Sequence, residues 1–332
     1  MIVPEPSTVD DANDRKGLRE PRRPATLAAM AGTNGERLGQ SARRQIGGAG
    51  MATIAGFVGL GRMGKPMARN ALRGGYETVV FDLRSEPVDE LSALGATAAG
   101  SPKAVAAVAD VTGVVVKGDE AVVEVITGPD GVLQAARPGS VIAVHTTVQP
   151  KTVLQMAEVA KERGVEVIDA PISGGQRGAE AATLCYMVGG DEALLERCRP
   201  LFATSGSEVY HLGGLGKGSV MKAVHQTIAC LHILAAREGL ELAEASGLDL
   251  RQVQEVLRVT DASSSATENW AERFRLTDGA GDGGGMSRQQ FAGMLLTLTP
   301  AIELARELGV GMPATALLQQ LFPPLPGGEA DP

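Results

Sequence analysis

A short glycine-rich segment near residue 60 has the spacing of a phosphate-binding loop. It follows an apolar run at 54–58 and precedes an amphipathic stretch at 63–73. In a strand–loop–helix unit, three glycines allow a tight turn, close approach of a pyrophosphate to the backbone, and close packing of the helix. The start of the helix adds unpaired N–H groups and a positive dipole end. The segment comprises Gly59, Leu60, Gly61, Arg62, Met63 and Gly64. An isolated motif would also fit an ordinary glycine turn, but this context predicts a dinucleotide site.

Asp82, at the end of the second apolar run, completes that pattern. A carboxylate there accepts hydrogen bonds from both ribose hydroxyls and repels a 2′-phosphate, so Asp82 favours NAD. Arg84 lies two residues later, and its guanidinium could neutralise a 2′-phosphate instead. We interpret Arg84 as a solvent-exposed loop charge, with NADP as the alternative cofactor.

A second group of residues could bind and deprotonate a small acid. Ser173, Gly174 and Gly175 offer a hydroxyl and two backbone N–H groups to a carboxylate, although an isolated triplet would fit a mere turn. Lys222 lies in the first turn of a long predicted helix, where most lysines are simply solvated. An amine whose pKa is lowered by burial can act as a base towards an alcohol, and its ammonium form as an acid. Gln226 is four residues on and shares the helix face of Lys222.

The elements around these residues alternate between short apolar runs and helical patterns. The predicted strands are 54–58, 78–81, 111–116, 141–144 and 165–168, and we expect 183–188 and 208–210 to extend the same sheet. The helices between them are 63–73, 102–108, 121–126, 151–163 and 191–198. This alternation predicts right-handed βαβ units around a buried parallel sheet.

After residue 218 the patterns are helical. The predicted helices are 219–246, 250–259, 266–274, 288–308 and 314–322, with a flexible break at 278–285. The fold class is therefore α/β, with an N-terminal Rossmann dinucleotide-binding domain followed by an all-α helical domain. We assign residues 51–214 to the Rossmann domain and residues 215–325 to a helical domain for substrate binding and dimerisation. The cleft between them is the expected ligand site.

Composition and charge disfavour several classes of partner. The net charge of -8 disfavours nucleic acid and anionic membranes, and the chain has no run of about 20 apolar residues that would span a bilayer. Three cysteines at unrelated spacings suggest reduced thiols and a cytoplasmic protein. His225 and His232 have no third ligand at useful spacing, so we expect no metal and interpret both as structural.

The first fifty residues differ from the rest. They are rich in Pro, Gly, Arg and Asp and show neither a helical nor a strand period, so we expect 1–50 to be disordered. Their acidic residues disfavour an organellar transit peptide, and Met51 is a plausible alternative start.

Three motifs resemble the β-hydroxyacid dehydrogenase family, which includes 3-hydroxyisobutyrate, tartronate-semialdehyde, threonate and 6-phosphogluconate dehydrogenases. GFVGLGRMG at 56–64 is similar to the family's GFIGLGxMG, DAPISGG at 169–175 to its DAPVSGG, and GKGSVMK at 216–222 to its GxGxxxK. The resemblance covers nearly all of 53–322. It implies NAD-dependent hydride transfer to or from a small 3-hydroxy acid or its oxo acid, and a homodimer or homotetramer formed through the helical domain.

The resemblance also implies residue roles. Lys222 is the acid/base, Ser173, Gly174, Gly175 and Gln226 hold the substrate, and Thr147 lies near the nicotinamide. The run 222–226 looks most like the threonate-type branch.

Five positions depart from the family's pattern. Ala182 replaces a glycine, Gly118 a common proline, and Gln226 the usual asparagine. An ungapped count puts Leu296 and Thr297 where the family has Lys-Asp. Without that lysine we expect weak binding of simple 3-hydroxy acids.

Two other functions remain open at this point. One is an NADPH-dependent semialdehyde or imine reductase on the same fold. The other is a catalytically weak relative that serves as a binding module, which the retained Lys222 disfavours.

Overall fold

A computed structural model describes residues 53–270, 276–277 and 286–321, with side chains for all of these except 276–277, 286–290 and 292. The expected disorder of 1–50 and the expected break at 278–285 lie outside the described residues. No helix in the described part is both long and apolar enough to cross a membrane.

The larger sheet has six strands, all parallel. They are β1 (Ile54–Val58), β2 (Glu77–Phe81), β3 (Thr97–Ala98), β4 (Val111–Val114), β5 (Val141–Val144) and β6 (Glu166–Asp169). Their order is β3-β2-β1-β4-β5-β6. This is the doubly wound order of dinucleotide-binding domains, whose ligands bind beyond the carboxyl ends of the strands.

Both faces of this sheet are buried. Along β5, Val141 and Ala143 belong to one hydrophobic cluster, whereas Ile142 and Val144 belong to another. Alternate residues of a strand point to opposite faces, so helices must cover each side. These helices are α1 (Gly64–Arg73), α2 (Ser85–Ala93), α3 (Pro102–Ala106), α4 (Gly118–Thr127) and α5 (Pro150–Lys161).

The next strands form a separate sheet, so the prediction that 183–188 and 208–210 extend the first sheet is wrong. Its strands are β7 (Ile172–Ser173), β8 (Leu184–Val188) and β9 (Gly206–His211), in the order β7-β8-β9. After β6 the chain turns through Pro171 into β7, and β8 then pairs antiparallel with β7 instead of beside β6. The helices here are α6 (Gly175–Glu180) and α7 (Glu192–Phe202).

The rest of the chain is mainly helical, and the predicted fold class is confirmed. The elements are α8 (Lys217–Ala245), α9 (Leu250–Arg258), α10 (Ser265–Glu268), β10 (Leu276–Thr277), β11 (Met286–Ser287), α11 (Arg288–Leu296), α12 (Thr299–Glu307) and α13 (Pro313–Leu321). The single helix predicted over 288–308 is therefore two helices. Pro300 lies in the first turn of α12, where its missing N–H costs nothing and its ring blocks a continuous helix.

Candidate active site

The carboxyl ends of four parallel strands bring the predicted site segments to one edge of the sheet. The glycine loop follows β1, Asp82 follows β2, Thr147 lies three residues after β5, and Ser173 lies shortly after β6. Thr147 is half-buried. Just before it, the Thr146 hydroxyl accepts from the Val116 N–H at 3.1 Å, which ties this end of β5 to the loop after β4.

The glycine loop has the shape of a phosphate cradle. Gly59 has a φ of +92°, and a Cβ there would strike the Val115 carbonyl. A Cβ on Gly64 would strike the Gly59 carbonyl, whereas one on Gly61 would meet no atom within 4 Å. The loop therefore leaves open space at Gly61 and leads into α1, whose first turn carries no acidic residue. These features fit the pyrophosphate of a dinucleotide.

Asp82 is hydrogen-bonded to this loop. Its Oδ2 accepts from the Leu60 N–H at 2.6 Å, and its Oδ1 accepts from the backbone N–H of Arg84 at 2.9 Å. The Arg84 Nε lies 3.3 Å from the same oxygen, so Arg84 is paired with Asp82 and is not a free loop charge. The aspartate is thus held at the loop while about 11% of its side chain stays exposed.

Basic side chains line the cavity beside the loop. Arg62, Lys65, Arg69 and Arg84 contribute to its wall, together with residues of α6 such as Glu180. The Arg69 Nε is buried and has no hydrogen-bond partner among the residues that the structure describes. The cavity is therefore suited to an anionic ligand.

Lys222 is buried in the first turns of α8. About 8% of the residue is exposed, and its Nζ donates to the Ile172 carbonyl at 2.7 Å. Burial lowers the pKa of Lys222 to about 8 because the charged form loses hydration. The amine therefore contacts the residue that precedes Ser173 in the chain. With a pKa of about 8, it can hold or release a proton near neutral pH.

Asp169 fixes the helix that carries this lysine. It is fully buried, and its two oxygens accept from the backbone N–H groups of Gly216 at 2.8 Å and Ser219 at 2.7 Å. Gly216 is the residue before α8, so the carboxylate caps the N-terminus of α8 from β6. A Cβ on Gly218 would collide with the Met187 carbonyl, so glycine is needed for this close approach.

A chain of polar side chains runs from Ser173 to α11. The Ser173 Oγ lies 2.9 Å from His225 Nε2, and His225 Nδ1 lies 3.2 Å from Gln226 Oε1. Gln226 Nε2 donates to the hydroxyl of Thr297, which follows α11, at 2.6 Å. Ser173 and Gln226 are thus joined through His225, and Lys222 contacts the residue before Ser173.

The remaining predicted positions differ in their surroundings. Gly174 and Gly175 are exposed at the start of α6 and have positive φ values of 128° and 63°. Leu296 is 43% exposed and provides no cation, and its neighbour Thr297 contacts Gln226. Ala182, with a φ of 58°, is the one non-glycine residue with positive φ in the described part of the chain.

Two residues of this network were not predicted to act in the site. Asp169 was part of a motif without a role, and His225 was interpreted as structural. Their contacts join residues 47 to 52 positions apart, which no local pattern reveals. His232, by contrast, is exposed. The only sequence signal for His225 was its place beside Gln226.

Comparisons with known proteins cover almost the whole described region. Residues 54–213 match the family described as the NAD binding domain of 6-phosphogluconate dehydrogenase. Residues 216–329 match the family described as NAD-binding of NADP-dependent 3-hydroxyisobutyrate dehydrogenase.

Individual relatives match over similar lengths. The chain is 37% identical to 2-(hydroxymethyl)glutarate dehydrogenase of Eubacterium barkeri, over 80% of this chain and 87% of the relative. It is 35% identical to NAD-dependent L-serine dehydrogenase of Pseudomonas aeruginosa, over 78% and 84% respectively. Among solved structures, 3-hydroxyisobutyrate dehydrogenase of Mycobacterium tuberculosis with L-serine superposes with a TM-score of 0.69 at 27% identity, covering 82% of this chain and 93% of that one.

Proposed function

The chain belongs to the β-hydroxyacid dehydrogenase family, and on that premise we propose that Lys222 is the acid/base of an NAD-dependent oxidation of a small 3-hydroxy acid. NAD(P)-dependent dehydrogenation of small hydroxy acids is the activity of this family. The observation that carries the finer proposal is the buried Lys222 amine, 2.7 Å from the Ile172 carbonyl and adjacent to Ser173.

Oxidation of an alcohol removes a hydride from carbon and a proton from oxygen. The neutral amine of Lys222 accepts the hydroxyl proton and becomes an ammonium, and in the reverse direction that ammonium returns the proton. The bound nicotinamide supplies the hydride acceptor or donor. Burial favours the neutral amine, because it lowers the pKa of Lys222 to about 8.

The segment after β6 holds the substrate. The backbone N–H groups of Gly174 and Gly175, two exposed residues, bind its carboxylate, while Ser173 and Gln226 contact its polar groups. Because Leu296 offers no cation, simple 3-hydroxy acids are held weakly, with KM towards the upper end of the usual ~1 μM–1 mM range. We assign cofactor binding to residues 51–214 and substrate binding to residues 215–325 with Ser173, Gly174 and Gly175.

The Lys222→Ala variant tests the catalytic role. We expect kcat to fall by at least ~10²-fold, the usual scale for a general acid or base, with little change in NADH affinity. Lys217→Ala is the matched control, because Lys217 is exposed on the same helix. Near-normal turnover by Lys222→Ala would refute the assignment, and absence of turnover in the native enzyme would favour a binding module.

NAD is the proposed cofactor because Asp82 is held at the glycine loop with its carboxylate partly exposed. There it accepts from the ribose hydroxyls and repels a 2′-phosphate. The cations Arg62, Lys65, Arg69 and Arg84 favour the second candidate, an NADPH-dependent reductase, since together they could neutralise that phosphate.

Comparing kcat/KM for NADH and NADPH decides between the two. We expect kcat/KM to be higher for NADH than for NADPH, and we expect Asp82→Ala to reduce the ratio of the two values. Glu86→Ala is the control, because Glu86 is a carboxylate in the wall of the same cavity. A native enzyme that prefers NADPH would show that the arginines, and not Asp82, determine which cofactor is preferred.

A further inference from the structure

The hydrogen-bond contacts of Thr297 determine where the hydrogen atoms lie in the network that links Ser173, through His225 and Gln226, to Thr297. The Thr297 hydroxyl lies 2.5 Å from the carbonyl oxygen of Met294, and a carbonyl can only accept. The single hydroxyl hydrogen of Thr297 therefore points to Met294. Any other partner of the Thr297 oxygen must be a donor.

This requirement fixes the orientation of the Gln226 amide. The group 2.6 Å from the Thr297 oxygen must be the Gln226 NH₂, so the amide oxygen faces His225. An amide oxygen accepts only, and hence His225 Nδ1, 3.2 Å away, must carry a hydrogen.

His225 and Ser173 form the other end of this hydrogen-bond network. Burial and the neighbouring Lys222 lower the pKa of His225, so the ring is neutral at neutral pH and carries one hydrogen. That hydrogen is on Nδ1, and Nε2 therefore presents a lone pair to the Ser173 hydroxyl at 2.9 Å. Ser173 must donate its only hydrogen to His225.

We propose that Ser173 presents only lone pairs to the substrate, so that the site selects hydroxy acids with a second hydrogen-bond donor, a hydroxyl or an ammonium, close to the hydroxyl that reacts. Such a donor bonds to the Ser173 oxygen, whereas a methyl group leaves it unsatisfied. The carboxylate is left to the Gly174 and Gly175 N–H groups. His225, Gln226 and Thr297 are positioning residues that set this polarity. The substrate class rests on the proposed function, but the polarity does not.

The tautomer of His225 can be measured directly. The protein has four histidines, and the signals of His225 in ¹⁵N-histidine-labelled enzyme are those that His225→Gln removes. At about pH 8 we expect the Nδ1–H tautomer for a neutral imidazole. Finding the Nε2–H tautomer would overturn the proposal, because Ser173 would then be free to donate.

Substrate selection is tested with two acids of nearly equal shape. Glycerate and 3-hydroxyisobutyrate share a terminal CH₂OH and a carboxylate, and differ in OH against CH₃ on the middle carbon. We expect kcat/KM for glycerate to exceed that for 3-hydroxyisobutyrate by at least ~10-fold, because the methyl leaves the serine unpaired. Serine, with an ammonium there, should also exceed 3-hydroxyisobutyrate. An equal or reversed order would overturn the substrate class.

Two substitutions of Thr297 distinguish an effect on the direction of these hydrogen bonds from a purely structural effect. Thr297→Val removes the hydroxyl that orients Gln226, so the tautomer should become mixed and the glycerate preference should shrink severalfold. Thr297→Ser keeps the hydroxyl and should preserve both. An unchanged preference in Thr297→Val would show that the chain does not set the polarity. If no hydroxy acid is turned over with NAD or NADP, the proposed function fails, and the tautomer alone decides the polarity of Ser173.

Discussion

At the scale of single residues, the acid/base role proposed for Lys222 predicts a pH dependence. Its pKa is lowered to about 8 by burial, and the oxidation requires the neutral form. We therefore expect kcat/KM for oxidation to rise as the pH increases through about 8, and kcat/KM for reduction to fall over the same range, since it requires the ammonium. Turnover measured in both directions between about pH 6 and 10 checks this.

The neighbouring thiols do not supply an alternative titration. Burial raises the pKa of Cys230 to about 12, and the pKa of Cys185 is also raised by burial and by Glu208. Parallel pH profiles in the two directions would contradict the role of Lys222.

Ala182 gives a prediction about stability. Its φ of 58° lies in the left-handed region, which costs a residue with a Cβ roughly 1–2 kcal/mol. Ala182→Gly relieves that cost but gains freedom in the unfolded chain, so we expect the free energy of unfolding to rise by roughly 0.5–1 kcal/mol. Ala181→Gly is the control, because Ala181 has a φ of −82° and should gain nothing. Urea unfolding of the three proteins compares them, and a loss of stability in Ala182→Gly would contradict the strain.

At the scale of elements, the cap between β6 and α8 joins the sheet to the helix that carries Lys222. In Asp169→Asn, the amide NH₂ must face either the Gly216 or the Ser219 N–H, which leaves buried donors opposed. We expect a loss of about 1–3 kcal/mol in the free energy of unfolding, together with a fall in kcat.

The control is another aspartate cap. Asp191 is exposed and accepts from the N–H groups of Ala193 and Leu194 at the start of α7. Asp191→Asn should cost less stability and leave kcat unchanged. Equal effects of the two substitutions on kcat would show that Asp169 has no positioning role.

The same elements show what could be predicted from the sequence. Strands β1 and β5 were predicted with their observed bounds, since each is a short apolar run with clear ends, at Thr53 and Gly59 for β1 and at Ser140 and His145 for β5. The two-residue strand β7 is too short for any period, and its antiparallel pairing with β8 moved the following strands into a second sheet. Local patterns do not encode which strands pair.

In the candidate site, motifs predicted roles for Gly59 and Lys222 because the family's spacing is local in sequence. The roles of Asp169 and His225 depend on partners about 50 residues away, so they emerged only from the fold.

At the scale of the whole molecule, the helical part exposes apolar side chains that would be covered in an oligomer. Val256 and Val259 are 59% and 79% exposed and lie on one face of the α9 region. We propose a homodimer or homotetramer and expect light scattering to give two or four times the 34.3 kDa chain mass. Lysine at both valines should lower that mass.

Lysine at Val123 and Val159, exposed valines on α4 and α5, is the control and should leave the mass unchanged. A monomeric native protein would contradict the proposal.

Because Asp169 holds the N-terminal end of α8, a tilt of this helix would pivot at that end. The helix has 29 residues and is therefore about 43 Å long, whereas Lys222 lies only about 8 Å from the capped end. A tilt of about 5° about the cap would move the far end by about 4 Å but the amine by only about 0.7 Å. A displacement at the distal end, near the exposed Leu242, would thus be about fivefold smaller at the Lys222 amine. The distal end of α8 would thus follow movements of its surroundings while the Lys222 amine, near the capped end, keeps almost the same position.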